Sequence, residues 1–282
     1  MNFTEKQLLD FVDLALLEDV GDGDHTSLST IPAGTQNSAQ LLVIEAGVLA
    51  GVSVAEHIFN RVDPNLKLNV LLHDGTNIRQ GDIVLKVTGS AHSILKAERL
   101  VLNIMQRMSG VATSTNNIVK KVAHTKCRIL DTRKTTPGMR FLEKEAVLIG
   151  GGQNHRFGLF DMILIKDNHV DYAGGTRAAI ANAKQYLKDT SRNLPIEIET
   201  RSLEEVKEAL AEGGFQRIMF DNFTFDNIKA AVALVDGKYE TEASGGITTE
   251  NVVQYAECGV DFISMGALTH SVKALDLSLK AV

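Results

Sequence analysis

Phe3, Leu8, Phe11, Val12, Ala15 and Leu16 recur at helical spacing, and Gly21 and Gly23 close the run, so the chain opens on an amphipathic helix. Apolar-rich stretches short enough for strands follow at 39–44, 66–72 and 82–88, with one helical stretch at 52–62 between them. Asp74-Gly75 and Gly81-Asp82 supply turns. These elements predict a small α+β domain. From 93 to about 124 the pattern is helical again, with Ser109-Gly110 as a candidate break. Ile94, Ala97, Val101, Ile104 and Met108 form its apolar face; Lys96, Arg99, Asn103 and Arg107 form a polar stripe. Beyond it, apolar runs at 128–131, 162–165, 196–199, 217–220, 239–243 and 261–264 alternate with segments able to hold helices. Strands that are nearly continuously apolar and separated by helices predict parallel pairing and βα units of a barrel.

Composition narrows the class. The 282 residues are 44% apolar and 23% charged, enough for one or two domains with full cores and unlike a disordered or collagenous chain. No apolar run reaches the ~18–20 residues of a membrane span, and the first residues are acidic where a secretion signal would be basic. A soluble, cytoplasmic protein is expected, with no membrane partner. Cys127 and Cys258 lie outside any zinc-ligand spacing and are expected to be reduced thiols. A net charge of −6 gives no general attraction to nucleic acid. Within that acidic chain, residues 120–167 carry ten basic side chains against five acidic ones. A basic island of this kind points to a small polyanion, although a solvated face has the same composition.

Polar or glycine-rich clusters stand at the C-terminal ends of the six barrel strands, where α/β barrels assemble their sites. They are Asp131-Thr132-Arg133-Lys134, Lys166 to His169, Glu199-Thr200-Arg201, Asp221-Asn222, Ser244-Gly245-Gly246 and Ser264-Met265-Gly266. The last two lead toward helical patterns and read as a phosphate cradle of backbone amides. Glu199 and Asp221 end successive strands and suit a magnesium ion shared with substrate phosphates, or caps and salt bridges with Arg201 and Lys166. His155 and Arg156 are candidates for anion binding, with a structural bond to backbone as the alternative for the histidine. Gly150-Gly151-Gly152 reads as a helix terminator, and the Asp19/Asp22/Asp24 cluster as a helix-ending loop, since it lacks the full ligand alternation of a calcium loop.

DTRKTTPGMR (131–140), GGGQNHRFGLFDMILIKDNH (150–169), EIET (197–200), FDN (220–222), EASGGIT (242–248) and ISMGALTHS (263–271) closely resemble the quinolinate phosphoribosyltransferase family. So do EDVGDGDHTS (18–27) and AERLVLNIMQRMSGVAT (97–113), so the resemblance covers nearly the whole chain. It implies an N-terminal α/β sandwich domain, residues 1–109 joined by 270–282, and an incomplete α/β barrel of six or seven strands over 110–269. The implied reaction converts quinolinate and phosphoribosyl pyrophosphate to nicotinate mononucleotide, pyrophosphate and CO₂ with magnesium, a step of NAD biosynthesis. Carried over by motif, Arg99, Thr132, Arg133, Lys134, His155 and Arg156 would meet quinolinate. Lys166, Glu199 and Asp221 would serve the donor, with phosphates cradled by Ser244-Gly245-Gly246 and Met265-Gly266-Ala267. Lys134, Lys166, Glu199 and Asp221 are the implied catalytic groups, the two carboxylates holding magnesium directly or through substrate phosphates. The family also implies a homodimer, or a hexamer made of three dimers, in which the arginine matching Arg99 comes from the neighbouring subunit. Two rivals share the scaffold. One is a molybdenum-uptake paralogue, disfavoured by the presence of both Arg133 and the His155-Arg156 pair. The other is a noncatalytic phosphosugar binder, which would not need Glu199 and Asp221.

Overall fold

The computed structural model describes residues 4–282; Phe3, assigned above to the opening helix, lies outside them. The described chain divides into two compact units. One comprises the chain up to Asn116 with Thr135–Gly151 and Ser271–Val282; the other comprises Asn117–Lys134 and Gly152–His270. Elements are numbered in chain order.

In the first unit, α1 (Glu5–Val20) starts at a capping box. Thr4 Oγ1 accepts the Gln7 N–H and Gln7 Oε1 accepts the Thr4 N–H, while Leu8 and Val12 are buried. The acidic loop after it also starts a helix that the sequence pattern did not reveal, α2 (His25–Thr30), whose N-cap is Asp24. Strands β1 (Gln36–Val43), β3 (Lys67–Val70), β5 (Ile83–Ser90) and β12 (Leu277–Ala281) form an antiparallel sheet in the order β12-β1-β5-β3. The chain's end thus returns to this unit through the β1–β12 pairing, Leu41 opposite Leu279. A two-residue pair, β2 (Gly47–Val48) with β4 (Asn77–Ile78), and helix α3 (Val52–Val62) complete the sandwich side of the fold.

Helix α4 (Ala91–Val122) runs unbroken through Ser109-Gly110. Gly110 is there for contact: a Cβ would strike the Lys273 carbonyl oxygen and lie 3.2 Å from Ala274 Cα. Ser109 Oγ meets both the N–H and the C=O of Ala50. Arg107 leaves the polar stripe, since its Nε and Nη2 lie 3.0 and 2.8 Å from Oε1 of fully buried Glu143 on α5 (Arg140–Ile149). Glu143 also accepts the Thr136 N–H and hydroxyl, which fixes the 135–138 loop. As expected, α5 stops at Gly150, and Gly151 follows at φ +90°.

The second unit is built on β6 (Arg128–Leu130), β7 (Ile163–Ile165), β8 (Ile196–Thr200), β9 (Arg217–Asp221), β10 (Glu240–Ser244) and β11 (Phe262–Ser264), all parallel, in the order β6-β11-β10-β9-β8-β7. The crossover helices are α6 (Asp167–Ala173), α7 (Thr176–Asp189), α8 (Leu203–Glu212), α9 (Phe225–Val235), α10 (Val252–Glu257) and α11 (Ala267–His270). The first strand lies beside the last, as in a closing barrel rather than an open sheet, but β6 and β7 do not pair. A one-residue parallel bridge from Leu130 to Gln153 lies where a seventh strand would begin. This is the incomplete barrel of six strands, or seven counting the bridge. All five residues of β8 are buried although Ile196-Glu197-Ile198-Glu199 alternates apolar and acidic side chains, so its acidic face is enclosed as well as its apolar one.

Candidate active site

Within the barrel unit, strand register brings the C-terminal clusters together. Asp221 pairs directly with Ser244, and Glu199 ends the neighbouring β8 opposite Met219. Alternation along β8 puts Glu197 and Glu199 on one face, and along β10 it does the same for Glu242 and Ser244. Glu199 is 7% exposed and its Oε2 lies 3.5 Å from Lys166 Nζ. Burial raises its pKa, the Lys166 ammonium opposes this, and the nearby Asp221 charge adds to the rise. Lys166 itself is exposed at the start of α6, its amide donating to His169 Nδ1.

Asn222, named in the sequence only as part of the Asp221-Asn222 cluster and given no role there, links the acidic pair to the glycine turn. It adopts a left-handed conformation (φ +56°), donates its amide N–H to the Ser244 carbonyl at 2.9 Å, and donates Nδ2–H to Asp221 Oδ2 at 2.7 Å. Gly245 (φ +88°) lies so close that a Cβ there would strike the Asn222 carboxamide oxygen and lie 2.8 Å from its backbone nitrogen. The turn continues through Gly246 at φ +60°, but α10 begins only at Val252, so its donors are turn amides rather than a helix end. In the second glycine cluster the Met265 N–H is already given to the Leu130 carbonyl, and Gly266 and Ala267 stand at the start of α11. Gly266 admits the Lys134 side chain; a Cβ would sit 2.9 Å from Lys134 Cδ and 3.0 Å from the His270 ring. The Lys134 carbonyl accepts the Thr269 hydroxyl, and its amide donates to Thr132 Oγ1.

The cationic side of the site centres on Arg156. It is 8% exposed, donates to the Met162 carbonyl, and is pushed below the usual guanidinium pKa by burial and by the charge of Arg133. Two guanidiniums in mutual range favour a site for an anion. The neighbouring His155 is buried; its N–H donates to Asp131 Oδ1 at 2.9 Å and its Nδ1 accepts the Arg156 N–H at 2.8 Å. Its Nε2 faces Glu197 Oε2 at 2.9 Å and Glu242 Oε2 at 3.7 Å, with ligand-bearing atoms of the three groups all within 4.8 Å. Burial raises the pKa of both glutamates. Neither glutamate had been assigned a role, although glutamates within a fully buried strand, as in EIE, are the signal that could have drawn attention to them.

Arg99 is exposed on α4 in the first unit. The other sequence-derived site residues belong to the barrel unit. For a hard divalent cation the fitting donors are the oxygens of Glu199 and Asp221. Asn222 donates to Oδ2 of Asp221, and Ser244 is paired with Asp221 in the strand register.

Two family models match this chain. One, described as the quinolinate phosphoribosyl transferase N-terminal domain, matches residues 24–109, and the corresponding C-terminal domain matches 111–280. An Arabidopsis thaliana carboxylating nicotinate-nucleotide pyrophosphorylase, labelled chloroplastic, is 49% identical over 95% of this chain and 81% of its own. A Bacillus subtilis relative, a probable nicotinate-nucleotide pyrophosphorylase, is 42% identical over 97% and 93%. The solved nicotinate-nucleotide pyrophosphorylase of Francisella tularensis superposes with a TM-score of 0.94 at 38% identity, covering 100% of this chain and 98% of that one. A human nicotinic acid phosphoribosyltransferase structure, 14% identical with a TM-score of 0.66 over 97% of this chain and 74% of its own, shares the fold alone.

Proposed function

The chain belongs to the quinolinate phosphoribosyltransferase family, and on that premise we propose how its residues divide the reaction. The reaction itself is the family's: quinolinate and phosphoribosyl pyrophosphate give nicotinate mononucleotide, pyrophosphate and CO₂, for NAD biosynthesis.

What supports this division of labour is that Arg133 lies within electrostatic range of buried Arg156, and Asp221 within range of buried Glu199. Arg133, Arg156 and Lys134 hold the two carboxylates of quinolinate, with Thr132 lining the same loop. His155 contributes through its ring edge and the Arg156 backbone, because both of its nitrogens face protein groups. Arg99 is supplied by the neighbouring subunit of a homodimer, alone or within a hexamer of three dimers. The donor phosphates lie on Ser244-Gly245-Gly246 and on Gly266-Ala267, the Met265 amide being committed to Leu130, with Lys166 on the pyrophosphate side. Glu199 and Asp221 hold magnesium, which when bound neutralises charge on the departing pyrophosphate.

The pyridine nitrogen carries its own lone pair, so no base is required. It forms the bond to ribose C1 as the C1–oxygen bond to pyrophosphate breaks, and the ribose passes through an oxocarbenium-like state that Glu199 and Asp221 stabilise. The nitrogen is now cationic. The bond from ring C2 to its carboxylate then breaks to release CO₂, the electron pair stays on C2 beside N⁺, and a proton replaces the lost group. Arg133 and Arg156 orient the ring and exclude water.

Incubation with magnesium, quinolinate and the donor should yield nicotinate mononucleotide and CO₂ in equal amounts. Nicotinate, lacking the 2-carboxylate, leaves a desolvated guanidinium unpaired and should react at least about 100-fold less efficiently. Equal kcat/KM for the two acceptors would reject the two-carboxylate site. The compartment we infer is the cytoplasm, supported by two buried, unpaired cysteines. Among the described residues no helix is long and apolar enough to cross a membrane.

A further inference from the structure

Glu197 and Glu242 take no part in the chemistry above, yet they stand fully buried in the barrel unit. Two carboxylates in one core are costly where apolar residues would pack, as Ile198 and Ala243 do on the same strands. Part of that cost is offset from the N-terminal end of the strands. There Arg217 places Nη1 3.1 Å from Glu242 Oε2, and its Nε and Nη2 bond Glu240. A cleft of about 960 Å³ opens at that end, bordered by Arg128, Glu197, Arg217 and Phe262. From the other direction, the pair meets the Nε2 edge of His155.

The opposite edge of that ring shows which tautomer it holds. Because Nδ1 accepts the Arg156 N–H, it carries no proton, and the proton of the neutral ring sits on Nε2, facing the carboxylates. The His155 N–H is held in turn by Asp131, itself fully buried just past β6. Groups from the ends or interiors of β6, β8 and β10 therefore hold the two residues from which the Arg156 guanidinium projects. Glu197 also lies within electrostatic range of that guanidinium and stabilises its charge.

We propose that Glu197 and Glu242 are positioning residues for quinolinate: they hold the His155 ring in the tautomer that accepts the Arg156 amide, and so aim Arg156 at a substrate carboxylate. This rests on the reading of Arg156 as a quinolinate ligand. The carboxylates act from behind the site and touch no substrate. Their loss should therefore appear in quinolinate binding, while the donor and the bond-breaking steps are spared.

The test uses the full-length enzyme with Glu197→Gln, Glu197→Leu and Arg156→Lys, steady-state kinetics for both substrates, and ¹⁵N side-chain NMR of histidine. Glutamine retains a carbonyl acceptor for Nε2–H, so Glu197→Gln should keep the quinolinate KM within about threefold of wild type. Glu197→Leu should raise it about tenfold or more with donor KM and kcat within about threefold, and should abolish the single tautomer. In the wild-type enzyme, His155 should show a protonated Nε2 and an accepting Nδ1. A protonated Nδ1 there overturns the proposal even if the leucine variant does not fold. A folded Glu197→Leu enzyme with an unchanged quinolinate KM, or with donor and quinolinate KM raised equally, overturns it as well. If instead Arg156→Lys leaves quinolinate KM unchanged, the reading of Arg156 as a ligand fails, whereas the tautomer measurement still judges the clamp separately.

Discussion

Arg133 and Arg156 lie in mutual electrostatic range, and an anionic ligand between like charges relieves their repulsion. Arg133→Lys replaces a planar fork by a point charge and should lower kcat/KM for quinolinate by about 100-fold, read in initial-rate assays. At the donor end, Glu199→Gln and Asp221→Asn should lower kcat far more than they raise the quinolinate KM, because their charge matters most as the ribose becomes cationic; turnover unchanged in both would remove them from the mechanism. Asn222 allows backbone and side chain to be separated. Asn222→Gly keeps the left-handed turn and loses the bond to Asp221, so kcat should fall with the melting temperature little changed, whereas Asn222→Ala adds about 1–2 kcal/mol of backbone strain and should lower both. The buried glutamates set a pH dependence. Folding raises their pKa above that of the unfolded chain, so the native state binds more protons in between, and their contribution to stability is present at low pH and lost as pH rises through the folded values. Thermal melts from acidic to mildly alkaline pH should show the decline, and Glu242→Gln should flatten it.

Helix α4 shows how glycine means different things at the level of an element. Local propensity reads Ser109-Gly110 as a weak point, yet the helix passes through because a backbone from residues 273–274 presses against it. Gly110→Ala gains about 1 kcal/mol of helix propensity. That gain should be outweighed by about 1–3 kcal/mol of overpacking against main chain, giving a net loss in denaturant titrations. In the β10 turn, Gly245→Ala meets both the Asn222 carboxamide and an unfavourable positive φ. Donor affinity should fall in calorimetry while quinolinate affinity holds.

For the whole molecule, the assignment of Arg99 in trans makes a quantitative demand. Arg99→Ala and Lys166→Ala should each be inactive, but when co-refolded half of randomly paired dimers are mixed and each has one intact site. Activity should recover to about a quarter of wild type. No recovery, with mixed dimers demonstrated, would place Arg99 in the site of its own chain.

The pattern along the chain was enough to place the six parallel strands and the helices between them, because short strand-like runs bounded by polar clusters and separated by helical segments leave few other ways to bury them. The clusters at the strand ends were legible because they break the strand pattern at the ends where a barrel gathers its site, although Asp131 and Glu199 among them are buried. Tertiary structure alone decided the rest. Arg107 joined Glu143 instead of solvent, Asp24 became a helix cap, Gly110 a contact point and Met265 an already bonded amide. In each case the partner lies in a three-dimensional environment that local pattern does not encode. The same holds for Glu197 and Glu242, whose meaning depends on His155 arriving from a separate loop to face both strands. A sequence displays the alternation that buries a carboxylate, but only the folded chain supplies the group that carboxylate was buried to hold.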